Sequence, residues 1–231
     1  MPRKPRLFLP GQPQHVVVRG HNRDPILARH EDFQMLYRYV RDAASRNGLA
    51  VHAWVFMHNH LHLLATPETE QSLPRTMQSI GRRYAQYFNR TYRRSGSLWE
   101  GRYKASLVDT ERYLLTCYRY IELNPVRAGI VRRPEAYLYS SYHANGLGKD
   151  DPLVRPHAVY LALVQGVAQG SESAALTPTP DEQTLDREPY RQLFETELSR
   201  KELAKIRRGT ERCEAVGNPD FVLSVARLLG R

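Results

Sequence analysis

His60 and His62 stand one residue apart in the stretch AVHAWVFMHNHLHLLAT, residues 50–66. Side chains on a strand alternate between its two faces, so both imidazoles project from one face while Leu61 and Leu63 pack on the other. Two neutral imidazoles side by side on a rigid strand supply half of a metal site. Hydrogen-bonded histidines on a wet sheet face give the same pattern, so the H-x-H spacing alone leaves both readings open. The stretch contains no Lys, Arg, Asp or Glu, although 25% of the chain is charged, and it holds four of the nine histidines: His52, His58, His60 and His62.

The elements that must position these residues follow from periodicity. Residues 50–66 read as two strands joined by a tight turn at His58-Asn59, with Val51, Ala53, Val55 and Met57 alternating with His52, Trp54 and Phe56. Upstream, QHVVVR at 14–19 has the β-branched content of a strand. Residues 31–47 carry Phe33, Leu36, Tyr37, Val40 and Ala44 at helical spacing, with Gly48 just beyond. Residues 73–92 form a second helix with Met77, Ile80, Tyr84 and Phe88 on one face, and residues 98–108 a further strand. Asp109 or Thr110 suits the N-cap of a third helix that Pro125 stops. On that helix Tyr113, Tyr120 and Asn124 are separated by seven and four residues and share a face, Tyr118 points elsewhere, and Glu122 falls on another side, solvated or in a salt bridge.

The chain has 231 residues, 34 Lys plus Arg against 24 Asp plus Glu, a net charge of +10 and a pI near 9.8. That balance favours a polyanion, nucleic acid or an anionic membrane surface. No segment is long and apolar enough to span a bilayer, and the N-terminus lacks the apolar core of a signal peptide. Cys117 and Cys213 stand alone, which fits a reducing cytoplasm and excludes a thiolate zinc knuckle. Basic residues form two groups. Arg3, Lys4 and Arg6 lie in an extended N-terminal arm, followed by Arg19 on the first strand. Arg82, Arg83, Arg90, Arg93, Arg94, Arg102 and Lys104 fall between residues 81 and 104 with Glu100 as the one acid, interleaved with Tyr84, Tyr87, Phe88, Tyr92, Trp99 and Tyr103. Charge mixed with stackable rings suits a single-stranded nucleic-acid groove, and a solvated helix face over core aromatics is the plain alternative. Residues 168–187 read as a flexible linker, and 188–231 as short helices whose Lys201, Lys205, Arg207 and Arg208 face DNA or solvent.

HNHLHLL and RYIELNPVRAGIV, in that order, resemble the histidine strand and the tyrosine helix of the single-tyrosine (HUH) transposases of the insertion-sequence 200/605 type. HVVVRGHNRDPI near the N-terminus, and SSYHANGLGKDDPLV, PYRQLFE and GNPDFVLSVARLLGR in the tail, resemble the REP-associated tyrosine transposase branch. The resemblance covers nearly the whole chain. One departure is His58, where that family often has Pro; it lies in the turn and adds a stray candidate metal ligand.

The resemblance implies an α/β (α+β) sandwich, with a ferredoxin-like central antiparallel sheet, packed helices and a helical C-terminal extension. A transposase domain would occupy residues 1–131 and the extension 132–231. It makes His60, His62 and Asn124 the ligands of a divalent cation, Mg²⁺ or Mn²⁺, and Tyr120 the nucleophile. It implies nicking and joining of single-stranded or hairpin DNA, REP-like repeats, through a 5′-phosphotyrosine intermediate. A cytoplasmic, nucleoid-associated location and a monomer or homodimer follow from the same likeness. Tyr113 shares the face of Tyr120 and is the competing nucleophile. Two other classes stay open at this point: a domesticated DNA- or RNA-binding module that no longer cuts, and a metallo-phosphodiesterase whose nucleophile is water.

Overall fold

The computed structural model describes residues 7–110, 113–166 and 185–228; Arg3, Lys4 and Arg6 of the arm, and residues 168–184 of the expected linker, lie outside them. Four strands, β1 (Gln14–Arg19), β2 (Leu49–Met57), β3 (His60–Pro67) and β4 (Lys104–Leu107), form one sheet in the order β2-β3-β1-β4. All three pairings are antiparallel. Helix α1 (His30–Arg46) connects β1 to β2, and α2 (Ser72–Thr91) connects β3 to β4. This is the ferredoxin-like arrangement, and it places β3, with its H-x-H, in the interior of the sheet.

Alternation sorts the sheet into two faces. Val16, Val18, Trp54, Phe56, Leu61, Leu63 and Ala65 pack beneath α1 and α2, against Phe33, Leu36, Val40, Met77, Ile80 and Tyr84. Ala53, Val55, Met57 and Leu64 face the other way and pack against Leu114, Cys117, Tyr118 and Ile121 of α3 (Leu114–Glu122). The strict alternation expected along β2 breaks at its start. A bulge between Val51 and Ala53 inserts an extra residue, so Val51 joins Trp54 and Phe56 on the first face.

Two local expectations differ from the structure. The strand expected over 98–108 is ladder only at Lys104–Leu107; Trp99 makes a single bridge to Gly20, because its indole N–H donates to the Gly81 carbonyl and ties the segment to α2. Pro125 does not stop the helix. Helix α3 ends at Glu122, Leu123 turns out of helical geometry, and Pro125 sits in the first turn of α4 (Asn124–Arg127), where a missing N–H costs nothing. The Asp109 carboxylate accepts from the Asn218 backbone N–H at the entry to α9 (Pro219–Leu228); residues 111 and 112, which follow the expected N-cap, lie outside the described residues.

The segment after α4 wraps the same sheet. It comprises α5 (Tyr142–Asn145), α6 (Ala158–Val164), α7 (Glu188–Gln192), α8 (Arg200–Arg212) and α9. Residues 139–155 cover the free edge of β2: the N–H of Phe56 donates to the Tyr139 carbonyl, that of Ser141 to Trp54 and that of Arg155 to Val51. At the opposite edge Val216 donates to Leu107 and accepts from Asp109. Tyr160, Tyr190, Leu198, Ile206 and Val216 join the core under α3. Glu122 is not solvated. It is fully buried and accepts from the hydroxyl of Ser141 at 2.6 Å, the amide of Asn145 at 2.8 Å and the hydroxyl of Tyr190 at 2.7 Å. Among the described residues no helix is long and apolar enough to cross a membrane.

Candidate active site

The face of the sheet turned away from α1 and α2 carries polar rows. Register pairs Arg19 with His60, Val17 with both His62 and Lys104, and His15 with both Leu64 and Ser106. Arg19, His60, His62, His15, Lys104 and Ser106 therefore share one face, the face on which α3 packs. Helix α3 lays Tyr120 over it. The Tyr120 ring meets the rings of His62 and His15 edge to face, with centroids 5.8 and 5.5 Å away, and His60 and His62 are 5.0 Å apart. The chain positions that suggested a nucleophile and a metal site, far apart in sequence, thus meet.

Hydrogen bonds fix which nitrogen of each histidine is free. The Asn59 amide nitrogen donates to the Arg23 carbonyl, so its oxygen faces His60 and accepts from Nδ1 at 2.6 Å. On the other histidine, Nδ1 of His62 lies 2.8 Å from Nε2 of His15. The Nε2 atoms of His60 and His62 make no hydrogen bond among the described residues. Both rings are held neutral. Burial, helped by the nearby Arg19 charge, lowers His60 to about 4, and burial with the neighbouring His60, His15, Arg19 and Arg127 charges pushes His62 well below the ordinary histidine range. A cation needs neutral imidazoles with an exposed lone pair, and this pair fits that requirement. Among the described residues no third His, Cys, Asp or Glu completes a metal cluster with them. The third ligand position is the one the resemblance gives to Asn124. Asn124 begins α4, four residues past Tyr120, is partly buried, and its side-chain amide makes no hydrogen bond among the described residues.

The phenol oxygen of Tyr120 makes no hydrogen bond among the described residues either, and its ring is mostly buried. The guanidinium of Arg127 sits 4.4 Å from that ring centroid and donates to the Tyr120 carbonyl. Burial lowers Arg127 only to about 10, so it remains a cation, and a negative charge on Tyr120 would hold it. Tyr113, the competing nucleophile, is engaged elsewhere: Lys205 Nζ donates to its hydroxyl at 2.8 Å and lies over its ring. His58 is likewise committed, to the Leu27 carbonyl at 3.1 Å, and His52 bridges the Arg155 carbonyl and the Thr66 hydroxyl.

The basic residues divide between the faces. Arg19 and Lys104 are exposed and lie on the histidine face. Arg82, Arg83 and Arg90 ride on α2, across the sheet from Tyr120, with Arg93 and Arg94 just after it. Arg83 stacks on Tyr39 of α1, 4.2 Å from its centroid, and Arg94 lies over Phe88. The interleaved aromatics serve mainly the core: Tyr84 and Phe88 are buried, and Tyr87 and Tyr92 both donate to Asp32. Trp99, Tyr103 and Arg102 line a cleft of about 440 Å³ against α2.

Two site residues escaped sequence reasoning. His15 lies in a strand recognisable by its valines, and only the register shows that its odd-numbered positions face Tyr120. Arg127 stands three residues beyond Asn124, and its contact with Tyr120 depends on the turn at Leu123.

Fold and site together define a class: a ferredoxin-like domain that sets a tyrosine on a short helix beside a histidine pair on a central strand. Residues 11–124 match the family described as "Transposase IS200 like", and that stretch of the chain belongs to that family of DNA-moving enzymes. Among solved structures it is similar to a REP-associated tyrosine transposase bound to a REP hairpin, with 19% identity, a TM-score of 0.52, and coverage of 68% of this chain and 93% of that one. At that identity the likeness shows a shared fold. A candidate transposase from Deinococcus radiodurans R1 is also similar, with 23% identity, a TM-score of 0.38, and coverage of 52% of this chain and 95% of that one. No curated protein matches the chain.

Proposed function

We propose that this transposase cuts and rejoins single-stranded DNA at hairpin-forming, REP-like sequences, with Tyr120 as nucleophile and a divalent cation, Mg²⁺ or Mn²⁺, held by His60, His62 and Asn124. The observation that carries the reading is the meeting of the Tyr120 ring with the His62 ring on one sheet face, 5.8 Å apart, with Nε2 of both histidines unengaged. The family match and the likeness to a hairpin-bound relative support the choice of substrate class. So does the net charge of +10.

A phosphodiester in DNA is a poor electrophile with a poor leaving group. A bound cation would polarise the scissile phosphate and offset charge on the departing oxygen. The Tyr120 phenol, having lost its proton to solvent, attacks phosphorus; the bond to the 3′-oxygen breaks, and that oxygen takes up a proton. The 5′-phosphotyrosine keeps the energy of the broken bond, because a phenol is more acidic than a sugar hydroxyl. A 3′-hydroxyl can therefore reverse the step and release Tyr120 without an external energy source. Arg127, over the Tyr120 ring and bonded to its carbonyl, holds the nucleophile's position through both directions. Arg19 and Lys104, exposed on the same face, hold the backbone of the strand being cut.

The test is a labelled hairpin library incubated with Mn²⁺ or Mg²⁺ and resolved on a denaturing gel. Wild type should form a covalent adduct that maps to Tyr120 by mass spectrometry. Tyr120→Phe should abolish the adduct and leave hairpin binding within about twofold, since one oxygen is removed. Cleavage that survives in Tyr120→Phe would move the reaction to a water nucleophile. Tight binding with no cleavage by wild type would make the chain a domesticated binding module.

A further inference from the structure

We infer that Thr210 and His15 are positioning residues that lock His62 in its Nδ1–H tautomer, so that helix α8, outside the matched residues 11–124, completes the active site. The inference rests on His62 acting as a cation ligand, and it adds a structural origin for that competence.

The argument is a count of hydrogens along one chain of contacts. The Thr210 hydroxyl lies 2.9 Å from the Ile206 carbonyl, which can only accept, so the single hydroxyl hydrogen points there. The same oxygen lies 2.9 Å from His15 Nδ1 and must accept from it. Ser106, 3.5 Å away, can add a donor to that oxygen without changing the outcome. His15 is 1% exposed, and no carboxylate touches either ring among the described residues, so the imidazole is neutral and carries its one N–H at Nδ1. Its Nε2 is then a lone pair, and it accepts from Nδ1 of His62 at 2.8 Å. The rings lie 5.0 Å apart with planes within 13° of each other, and this fixes the orientation of His62 as well as its proton. His62 is left with its lone pair on Nε2. Reversing every hydrogen in the chain would put a proton on His62 Nε2 and leave it unable to bind a cation.

Helix α8 is built to deliver this hydroxyl. Its N-cap Ser199 and Glu202 form a reciprocal capping box. At the other end Gly209, adjacent to Thr210, leaves room for the Val216 side chain, which occupies the place a Cβ would take. Val216 in turn pairs with Leu107 at the end of β4. Thr210 is 5% exposed, and solvent does not compete for its hydroxyl.

Two measurements on the full chain test this. In the metal-free protein, long-range ¹⁵N–¹H correlations of the His62 ring should show protonated Nδ1 and bare Nε2. Thr210→Val should mix the tautomers and weaken Mn²⁺ binding, followed by calorimetry, roughly 10- to 100-fold, the usual effect of losing an outer partner of a ligating histidine. Thr210→Ser, which keeps the hydroxyl, should restore both readouts. His15→Gln, which offers an amide oxygen to Nδ1, should restore more affinity than His15→Leu. A merely structural role would lower thermal stability in Thr210→Val without altering the His62 ring signals of the folded protein. A wild-type His62 protonated at Nε2, or unchanged ring signals in Thr210→Val, would overturn the inference. Failure of wild type to bind Mn²⁺ while the ring signals respond as expected would sink the metal reading instead.

Discussion

At Tyr120 three side chains from different parts of the chain meet one ring. His62 and His15 approach from the sheet and Arg127 from the turn beyond the helix, with the guanidinium 4.4 Å from the ring centroid. Nη1 of Arg127 is sealed from solvent with no hydrogen-bond partner among the described residues. A buried cation left this way has a cost, and a neighbouring ring that becomes negative during the reaction offsets it. Arg127→Met keeps much of the volume and removes the charge. It should slow single-turnover adduct formation roughly tenfold, the worth of a partly desolvated cation–π contact. Hairpin affinity should stay nearly unchanged, because the guanidinium faces Tyr120. An adduct rate equal to wild type would remove Arg127 from the mechanism.

The sheet separates two sets of basic residues at the level of elements. Strands β1 and β4 present Arg19 and Lys104 beside the histidines, while α2 carries Arg82 and Arg90 exposed on the opposite layer. A single strand threaded past Tyr120 must run over the first set. Each phosphate contact contributes about 0.7 to the slope of log affinity against log salt for single strands. Neutralising Arg19 and Lys104 together should therefore flatten the slope for the single-stranded flank by roughly 1.4. Neutralising Arg82 and Arg90 should affect the flank less, and affect the paired hairpin more if DNA also wraps α2. The reverse ranking in a fluorescence titration over several salt concentrations would place the cut strand on the other layer.

For the whole molecule, buried titratable groups couple stability to pH. His15 is lowered to about 3 and His52 and His60 to about 4, chiefly by burial, and His62 lies well below its ordinary value. All four stay neutral in the fold while the unfolded chain takes up protons below about 6.5. The unfolded state then binds more protons, and stability falls as pH drops through 6.5 toward the folded values. Each such histidine costs about 2 kcal/mol at pH 5. Glu122 works the other way. Burial raises it to about 7 against the donated hydrogen bonds of Ser141, Asn145 and Tyr190, so it stabilises the fold at low pH and loses that contribution as pH rises through 4.5 to 7. Its gain at pH 5 is about 2 kcal/mol. The metal-free protein should therefore be about 6 kcal/mol less stable at pH 5 than at pH 7.5, read from urea midpoints, and Glu122→Gln should steepen that loss. Equal midpoints at the two pH values would contradict the assignment of these groups as buried and neutral.

Much of this fold was legible because its signals are local. The valines of 14–19, the helical spacing of 31–47 and the two-residue turn at His58-Asn59 each depend on neighbours in sequence. The same holds for the H-x-H pair and for the spacing of Tyr120 and Asn124, which carried the resemblance that in turn named the candidate nucleophile and ligands. What the sequence could not decide were relations that exist only once the sheet is assembled. Register put His15 beside His62 and Arg19 beside His60. A bulge moved Val51 to the other face. Burial, through three donors from distant segments, turned Glu122 from an expected surface charge into the tie between α3 and the C-terminal region. Packing of α8 on β1 and β4 brought Thr210 to His15 across 195 positions of chain. Side-chain periodicity fixes which residues share a face, whereas the partner a face meets is set by long-range packing of the whole chain.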